Sequence, residues 1–396
     1  MIYVGIDVAS EKHDVCIMSE GGKIYGKKFQ IQNSRDEYKK LLSSIKEAKK
    51  LFKDSKVSIG IESTGVYSST ILNYLSTIEN VEVIFINPVL TNMFQLGEKV
   101  HYAKTDSIDS EGICNYLKDK KNKLFTYTPP SYQILQIKSL YREMIKLNKL
   151  INQSKNRLTG IIHIVFPEFL SVFKKIKGNL VLSLLKEYPT PNELNRKHLS
   201  TLIEFSRKQS KGHFKEYKIK ELLDYSKCSV GVYTSSDALL IKQLTTLILL
   251  YEEQKDEIIQ ELVKLVKEVQ PNILTIPGIG ANTAAGILGE IGNISNFRNA
   301  DALTAFAGLN PRVYQSGKYE ARHTKISKKG SSYLRNAVYQ AACSIIKHDQ
   351  SFKDYYSKKR LAGKSYNCSI GHITKKLIRV IFTILKNNLE FKSINN

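Results

Sequence analysis

Cysteine is scarce and scattered, with five in 396 residues at Cys16, Cys114, Cys228, Cys343 and Cys368, none at a paired spacing. An odd, dispersed set excludes a disulfide framework and a cysteine-ligated zinc site, and is expected of reduced thiols in a cytosolic protein. Long apolar runs are missing too. The hydrophobic stretches are too short and too interrupted to cross a bilayer. The opening "MIYVGIDVAS" lacks the charged-then-apolar layout of a signal peptide, and no internal repeat or low-complexity segment is present. Acid is in short supply, with 37 Asp and Glu against 60 Lys and Arg, a net charge of +23. The deficit is uneven: residues 1–130 carry 18 basic and 16 acidic side chains (+2), and residues 131–396 carry 42 and 21 (+21). Charge of that size attracts polyanions, and nucleic acid is the usual partner. A membrane surface is the poorer fit, because no one amphipathic segment concentrates the charge.

What is present begins with three strand-like runs, "MIYVGIDVA", "DVCIMSE" and "KIYGKKFQIQ", with "EGG" as a hairpin turn between the second and third. A helix follows over "SRDEYKKLLSSIKEAKKLF", with Ser34 as its cap. The buried-type strand "KVSIGIEST", a helix at "YSSTILNYLSTI" and the strand "VEVIFINP" come next. Three antiparallel strands followed by strand–helix alternation predict an α/β domain of the ribonuclease H-like (RuvC-like) class. From Ser131 the pattern becomes helical. Ile137, Tyr141, Met144, Ile151 and Leu158 recur at heptad spacing on one long basic helix. Leu240, Leu244, Leu247, Tyr251, Ile258, Leu262 and Leu265 do so on a second, from about Asp237 to Glu268. Both read as coiled-coil or helix-pair seams. Residues 167–233, Lys-rich and broken by "YPTPNEL", read as an inserted helical subdomain without a legible role.

The acids carry the chemistry. Asp7, in "GIDVAS", is expected mid-strand among apolar neighbours, where a carboxylate needs a partner, a metal or a cleft. Glu62 repeats the situation at the end of "IGIEST". Asp106 and Asp109, three apart in "KTDSIDSEG", read on their own as a capping box at the start of a helix. With Asp7 and Glu62 at equivalent depth on neighbouring strands, they read also as metal ligands sharing one helix face, and the two roles are compatible. Four clustered carboxylates repel unless divalent cations neutralise them, and paired hard cations are a clamp for in-line phosphoryl transfer. Mg²⁺ suits an all-oxygen site, with Mn²⁺ or Ca²⁺ as replacements.

In the last third, "IPGIG" at Ile276–Gly280 followed by "ANTAAGILGEI" is a helix–hairpin–helix signature. Gly278 and Gly280 are expected to let the main chain approach a nucleic-acid phosphate, the bland alternative being a simple glycine turn. The segment "VYQSGKYEARHTKISKKGSSYLR" sets Ser316 before Gly317 among Lys318, Arg322, Lys328, Lys329 and Arg335. A Ser–Gly pair is ordinarily a turn. A serine nucleophile needs activation and cations around its electrophile, and this loop is rich in candidates. His323 reads as a general base or a phosphate contact, with nothing in the sequence to choose between them.

In this order, "GIDVAS…IGIESTGVY…KTDSIDSEG…IPGIG…FAGLNPRVYQSGK…KKGSSYLR" resembles the Piv/MooV-like DEDD transposases of bacterial insertion sequences, over nearly the whole chain. The resemblance implies a RuvC-like catalytic domain at 1–128 and a coiled-coil linker at 129–270 containing the inserted subdomain. A C-terminal transposase domain would follow at 271–396. It implies Asp7, Glu62, Asp106 and Asp109 as the Mg²⁺-binding acids and Ser316 as a nucleophile forming a covalent phosphoserine–DNA link. It implies as well a noncoding bridge RNA that pairs with target and donor DNA, a homo-oligomer (dimer or tetramer), and a cytoplasmic, nucleoid-associated location. Two rival readings differ in chemistry. A junction nuclease would use the same acids to activate water and form no adduct, and a non-enzymatic nucleic-acid-binding protein would not need the acids at all.

Overall fold

Apolar residues occupy both faces of the first strand, so the sheet it belongs to must be covered on both sides. The computed structural model describes residues 1–62, 67–86, 88–98, 106–120, 124–210, 213–311, 315–316, 319–320 and 326–393, with the main chain alone at 89, 97–98, 106–108, 315–316 and 319–320. The chain forms two units, Met1–Ser131 with Gly292–Ala302, and Tyr132–Ile291 with Leu303–Asn396.

The first unit contains β1 (Ile2–Val8), β2 (Lys12–Ser19), β3 (Phe29–Gln32), α1 (Arg35–Phe52), β4 (Val57–Glu62), α2 (Ser68–Leu75), β5 (Val81–Ile86), α3 (Pro88–Glu98) and α4 (Asp106–Lys120). The sheet order is β3-β2-β1-β4-β5. The β1–β2 and β2–β3 pairs are antiparallel, and β1–β4 and β4–β5 are parallel. This is the ribonuclease H-like arrangement the strand order predicts. Ser34 caps α1 as expected, accepting from the Glu37 amide. One face buries Ile2, Val4, Ile6, Ile59 and Ile61 against Leu41 and Ile45 of α1 and Ile71 of α2. The other buries Tyr3, Cys16, Met18, Ile84 and Ile86 against Ile113, Cys114 and Leu117 of α4. Two of the dispersed cysteines meet there, the Cys114 thiol lying 3.3 Å from the Cys16 carbonyl oxygen, and both are free thiols. Gly292–Ala302, which the sequence reading left in the C-terminal stretch, belongs to this unit. Asn296 accepts from the Thr128 amide at 2.7 Å and donates to the Thr128 carbonyl at 2.9 Å.

In the second unit α5 (Tyr132–Val165) pairs along its length with the later helix α11 (Ser235–Val269). At 34 and 35 residues each is about 50 Å long. The α5 seam is the expected one, with Ile137, Tyr141, Met144, Ile151 and Leu158 all buried. On α11 the strict heptad fails, because Leu247 is 40% exposed while Ile241, Leu244, Thr245 and Ile248 are buried. The reason is a second neighbour. Alongside α5, α11 packs on α7 (Asn179–Glu187) of the insert, whose other helices are α6 (Pro167–Val172), α8 (Pro191–Asn195), α9 (Leu199–Gln209) and α10 (Glu216–Lys227). Ile241, Leu244 and Ile248 share one core with Leu182, Leu185 and Leu222 of that insert. The chain continues through α12 (Ala281–Ile291), α13 (Ala300–Phe306), the two-residue strands β6 (Gln315–Ser316) and β7 (Tyr319–Glu320), and then α14 (Ser332–His348), α15 (Gln350–Leu361) and α16 (Tyr366–Asn387). Among the described residues, no helix is long and apolar enough to cross a membrane.

Candidate active site

Two glycines bring α4 down onto the sheet. A Cβ on Gly5 would lie 2.1 Å from the Ser110 carbonyl oxygen, and one on Gly60 would lie 2.8 Å from Ile113 Cγ2 and 2.9 Å from Leu117 Cδ1. Gly5 and Gly60 therefore face α4. Strand alternation turns Asp7 and Glu62, each two residues further on, to the same side. Ile6 pairs with Ile61 across the parallel β1–β4 ladder, so Asp7 and Glu62 are the next step, at the carboxyl ends of adjacent strands. Asp7 is the penultimate residue of β1 and not mid-strand, which sets it at the edge of the core and not inside it. Asp109 immediately precedes Ser110, whose carbonyl covers Gly5, and the main chain of Asp106 begins the helix one turn earlier. The topology thus brings Asp7, Glu62 and Asp109 to one end of one face.

Two further residues belong to this end, and sequence reading missed both. Asp14 is the antiparallel partner of Asp7 and shares its face. It accepts from Gln30 Nε2 at 3.2 Å. The signal was available, because the β1–β2 turn fixes the register once both strands are drawn. Thr91 of α3, 3% exposed, bonds through Oγ1 to Glu62 Oε1 at 2.9 Å and to the Pro88 carbonyl at 3.0 Å. Nothing in the local sequence marks that contact, which depends on α3 crossing α4. A Cβ on Gly112 would lie 1.8 Å from Gln95 Nε2, so the glycine makes room for the Gln95 side chain where the helices cross.

The candidate ligands at this end are all oxygens, carboxylates with the Thr91 hydroxyl beside them, and like charges directly opposite on paired strands repel. Such a set fits a hard divalent cation and suits no soft metal. Among the described residues, no three His, Cys, Asp or Glu side chains are gathered closely enough to hold one ion, and the Asp106 side chain is not among them.

Ser316 ends β6 and pairs with Tyr319 of β7, so it stands at the last strand position before the two residues 317–318. Lys318, Arg322 and His323 lie outside the described residues. Below the hairpin the chain closes into a stem. Ser327 N donates to Asn310 O at 2.7 Å, Lys328 N to Gly308 O at 3.0 Å, and Pro311 bridges Ile326. Lys328 takes a left-handed conformation (φ 54°) and is exposed, as is Lys329. Arg335 donates from Nη1 to the Ala307 carbonyl at 2.8 Å, a bond that ties down the stem. At the other glycine turn, Gly278 has φ 82° and packs inward, since a Cβ there would lie 2.6 Å from Ser344 Oγ. Gly280 is open, with no heavy atom within 4 Å of where its Cβ would stand, and its carbonyl accepts from Ala284 N at 2.9 Å to start α12.

Residues 270–357 match the profile described as "Transposase IS116/IS110/IS902 family", and residues 4–167 match a transposase profile of the IS110 DEDD type. Two profiles of IS110-type transposases thus match this chain, one in each half. Among similar proteins, the IS116 uncharacterized protein of Streptomyces clavuligerus is 23% identical over 98% of this chain and 96% of its own length. The IS110 uncharacterized protein of Streptomyces coelicolor is 23% identical over 61% of this chain, which spans 60% of that relative. The pilin gene-inverting protein of Moraxella bovis is 30% identical over 35% of this chain and 44% of its own. Among solved structures, Thermus thermophilus RuvC in complex with a Holliday junction substrate aligns over 32% of this chain and 99% of its own, at 12% identity and a TM-score of 0.24. The two family profiles take in all the acids above, Ser316 and both glycine turns.

Proposed function

We propose that this chain is a DNA transposase and recombinase that cuts and exchanges strands by Mg²⁺-dependent phosphoryl transfer, with Ser316 as nucleophile. The observation that carries the reading is the convergence of Asp7, Glu62 and Asp109 at one end of the α4 face, in a chain that matches two transposase profiles. Asp7, Glu62, Asp106 and Asp109 are the residues that would hold Mg²⁺, or Mn²⁺ in its place. Metal bound there supplies Lewis-acid stabilisation of charge on the scissile phosphate. Ser316 Oγ attacks phosphorus. The Oγ–P bond forms as the bond from phosphorus to the departing strand oxygen breaks, the serine proton passes to a base, and the departing oxygen takes up a proton. A free strand hydroxyl then attacks the phosphoserine and releases Ser316. His323 is the candidate for the proton, and Lys318, Arg322, Lys328 and Lys329 for phosphate contact. Arg335, bonded to Ala307, serves the loop, and Gly278 and Gly280 shape the turn that meets the backbone of nucleic acid.

Charge supports a nucleic-acid partner, and the family resemblance implies the bridge RNA. Residues 131–396 carry +21 without an evident base-reading module, which suits a protein that reads phosphate and shape while a bridge RNA supplies the sequence. On this reading the domains are 1–128, 129–270 and 271–396, and a subunit's acids work with a neighbour's serine in a dimer or tetramer at the bacterial nucleoid. The test is a strand-exchange assay with Mg²⁺, co-purified RNA and DNA carrying the element's ends and target. Joined product should vanish with a chelator and in Asp7→Asn, Glu62→Gln and Asp109→Asn. Undiminished product from Asp109→Asn would contradict the reading.

A further inference from the structure

The second unit holds a carboxylate that the proposed chemistry does not use. Glu290, next to last in α12, has a side chain 1% exposed. Arg142 of α5 grips it with both prongs, Nε to Oε1 at 2.6 Å and Nη2 to Oε2 at 3.0 Å. The same guanidinium lies 4.8 Å over the ring of Tyr333. Small residues make the approach possible, since a Cβ on Gly289 would stand 2.8 Å from Lys138 Cα and one on Gly286 2.4 Å from the Tyr141 ring. Only the carboxylate is fully buried, the Arg142 side chain being 36% exposed, and the desolvation of Glu290 offsets much of the pair's Coulomb energy. Its geometry is better explained by what else it holds.

Glu290 Oε2 also accepts from Ser331 Oγ at 2.7 Å. Ser331 is the N-cap of α14, accepting from Leu334 N at 3.1 Å, and its own amide donates to Phe306 O at 2.7 Å. That last bond closes the base of the stem that bears the Ser316 hairpin. Neighbouring Gly330 (φ 136°) is pressed so close that a Cβ would lie 2.2 Å from Phe306 O. The foot of the stem is therefore wedged against one buried carboxylate, which is in turn fixed to α5.

We infer that Glu290, clamped by Arg142, is a positioning residue for the serine hairpin, acting through Ser331. It touches no reacting atom. It sets the direction in which the stem leaves the helices, and a small misplacement of a nucleophile costs a large factor in rate. The functional consequence rests on Ser316 being the nucleophile, but the structural one does not.

The test separates these. In the full-length protein with its co-purified RNA, amide exchange over 306–331 is compared with exchange in α12 and the later turns of α14. The variants are Ser331→Ala, Ser331→Thr, Ser331→Asp and Glu290→Gln. Aspartate caps a helix as well as serine but has no proton to give Glu290. Exchange over 306–331 should rise about tenfold or more in Ser331→Ala, Ser331→Asp and Glu290→Gln, and return to wild type in Ser331→Thr. Single-turnover DNA attachment should slow by about tenfold or more in the same three, with DNA affinity within about twofold. Wild-type exchange in Ser331→Asp would reduce Ser331 to a cap and overturn the inference, as would a uniform rise across the whole unit. If the wild type forms no DNA attachment, the serine reading falls while the exchange pattern still decides the role of Glu290.

Discussion

The Ser110 carbonyl oxygen occupies the space that a side chain on Gly5 would need. The helix carrying Asp106 and Asp109 is thereby seated on the strand carrying Asp7, and the depth of the seat is set by a missing methyl group. Gly5→Ala must displace α4 or distort β1, and Gly60→Ala meets Ile113 and Leu117 in the same way. Each is expected to cost about 1–3 kcal/mol and to abolish strand cleavage. Urea unfolding together with a cleavage assay checks this, and full activity in Gly5→Ala would refute the seating.

Thr91 steadies Glu62 by a buried hydrogen bond. If Glu62 binds metal, removing that bond should weaken the site without disturbing the fold, because Thr91→Val keeps the shape. Partners that orient a ligand are typically worth 10–100-fold in metal affinity. The Mn²⁺ affinity of Thr91→Val, followed by the paramagnetic signal of free ion, should fall in that range, and Thr91→Ser should recover it. An unchanged affinity would mean that Thr91 serves only the α3 turn.

His13 is fully buried on β2, and among the described residues neither ring nitrogen has a hydrogen-bonding partner within ordinary geometry. Burial pushes its pKa below the usual 6.5, against weaker pulls from the Lys12 and Ala9 main chain and Asp14. The folded state thus holds a neutral imidazole, and the unfolded state takes up a proton more readily. The sign follows from proton linkage: this contribution is complete above about pH 6.5 and is lost as pH falls toward the folded pKa, by at most about 1.4 kcal/mol per pH unit. The stability of the wild type should therefore fall relative to His13→Leu below about pH 6.5. A difference between the two that is flat from pH 8 to 5 would contradict it.

How much was legible in the sequence depended on the range of the interaction. The strand order, the Ser34 cap and the α5 seam are local patterns, and short-range physics fixes them. The α11 seam was misread at Leu247, because a helix packed on two neighbours buries a broader stripe than a heptad describes. The pairing of Cys16 with Cys114 and the bond from Thr91 to Glu62 bring together residues 98 and 29 positions apart, and no spacing rule reaches that far. Asp7, Glu62 and Asp109 were legible as acids in suggestive places. Their shared direction is set by Gly5 and Gly60, which the strand patterns alone do not single out.

The central claim is that a serine, with acids to support it, makes a covalent link to DNA. The most direct measurement incubates the protein with Mg²⁺, its co-purified RNA and labelled DNA of the element's ends, then denatures the mixture and resolves it on a gel. Wild type should give a DNA-bearing protein band that is absent in both Ser316→Ala and Asp109→Ala. Cleaved DNA with no such band, undiminished in Ser316→Ala, would contradict the account and leave a metal-dependent nuclease.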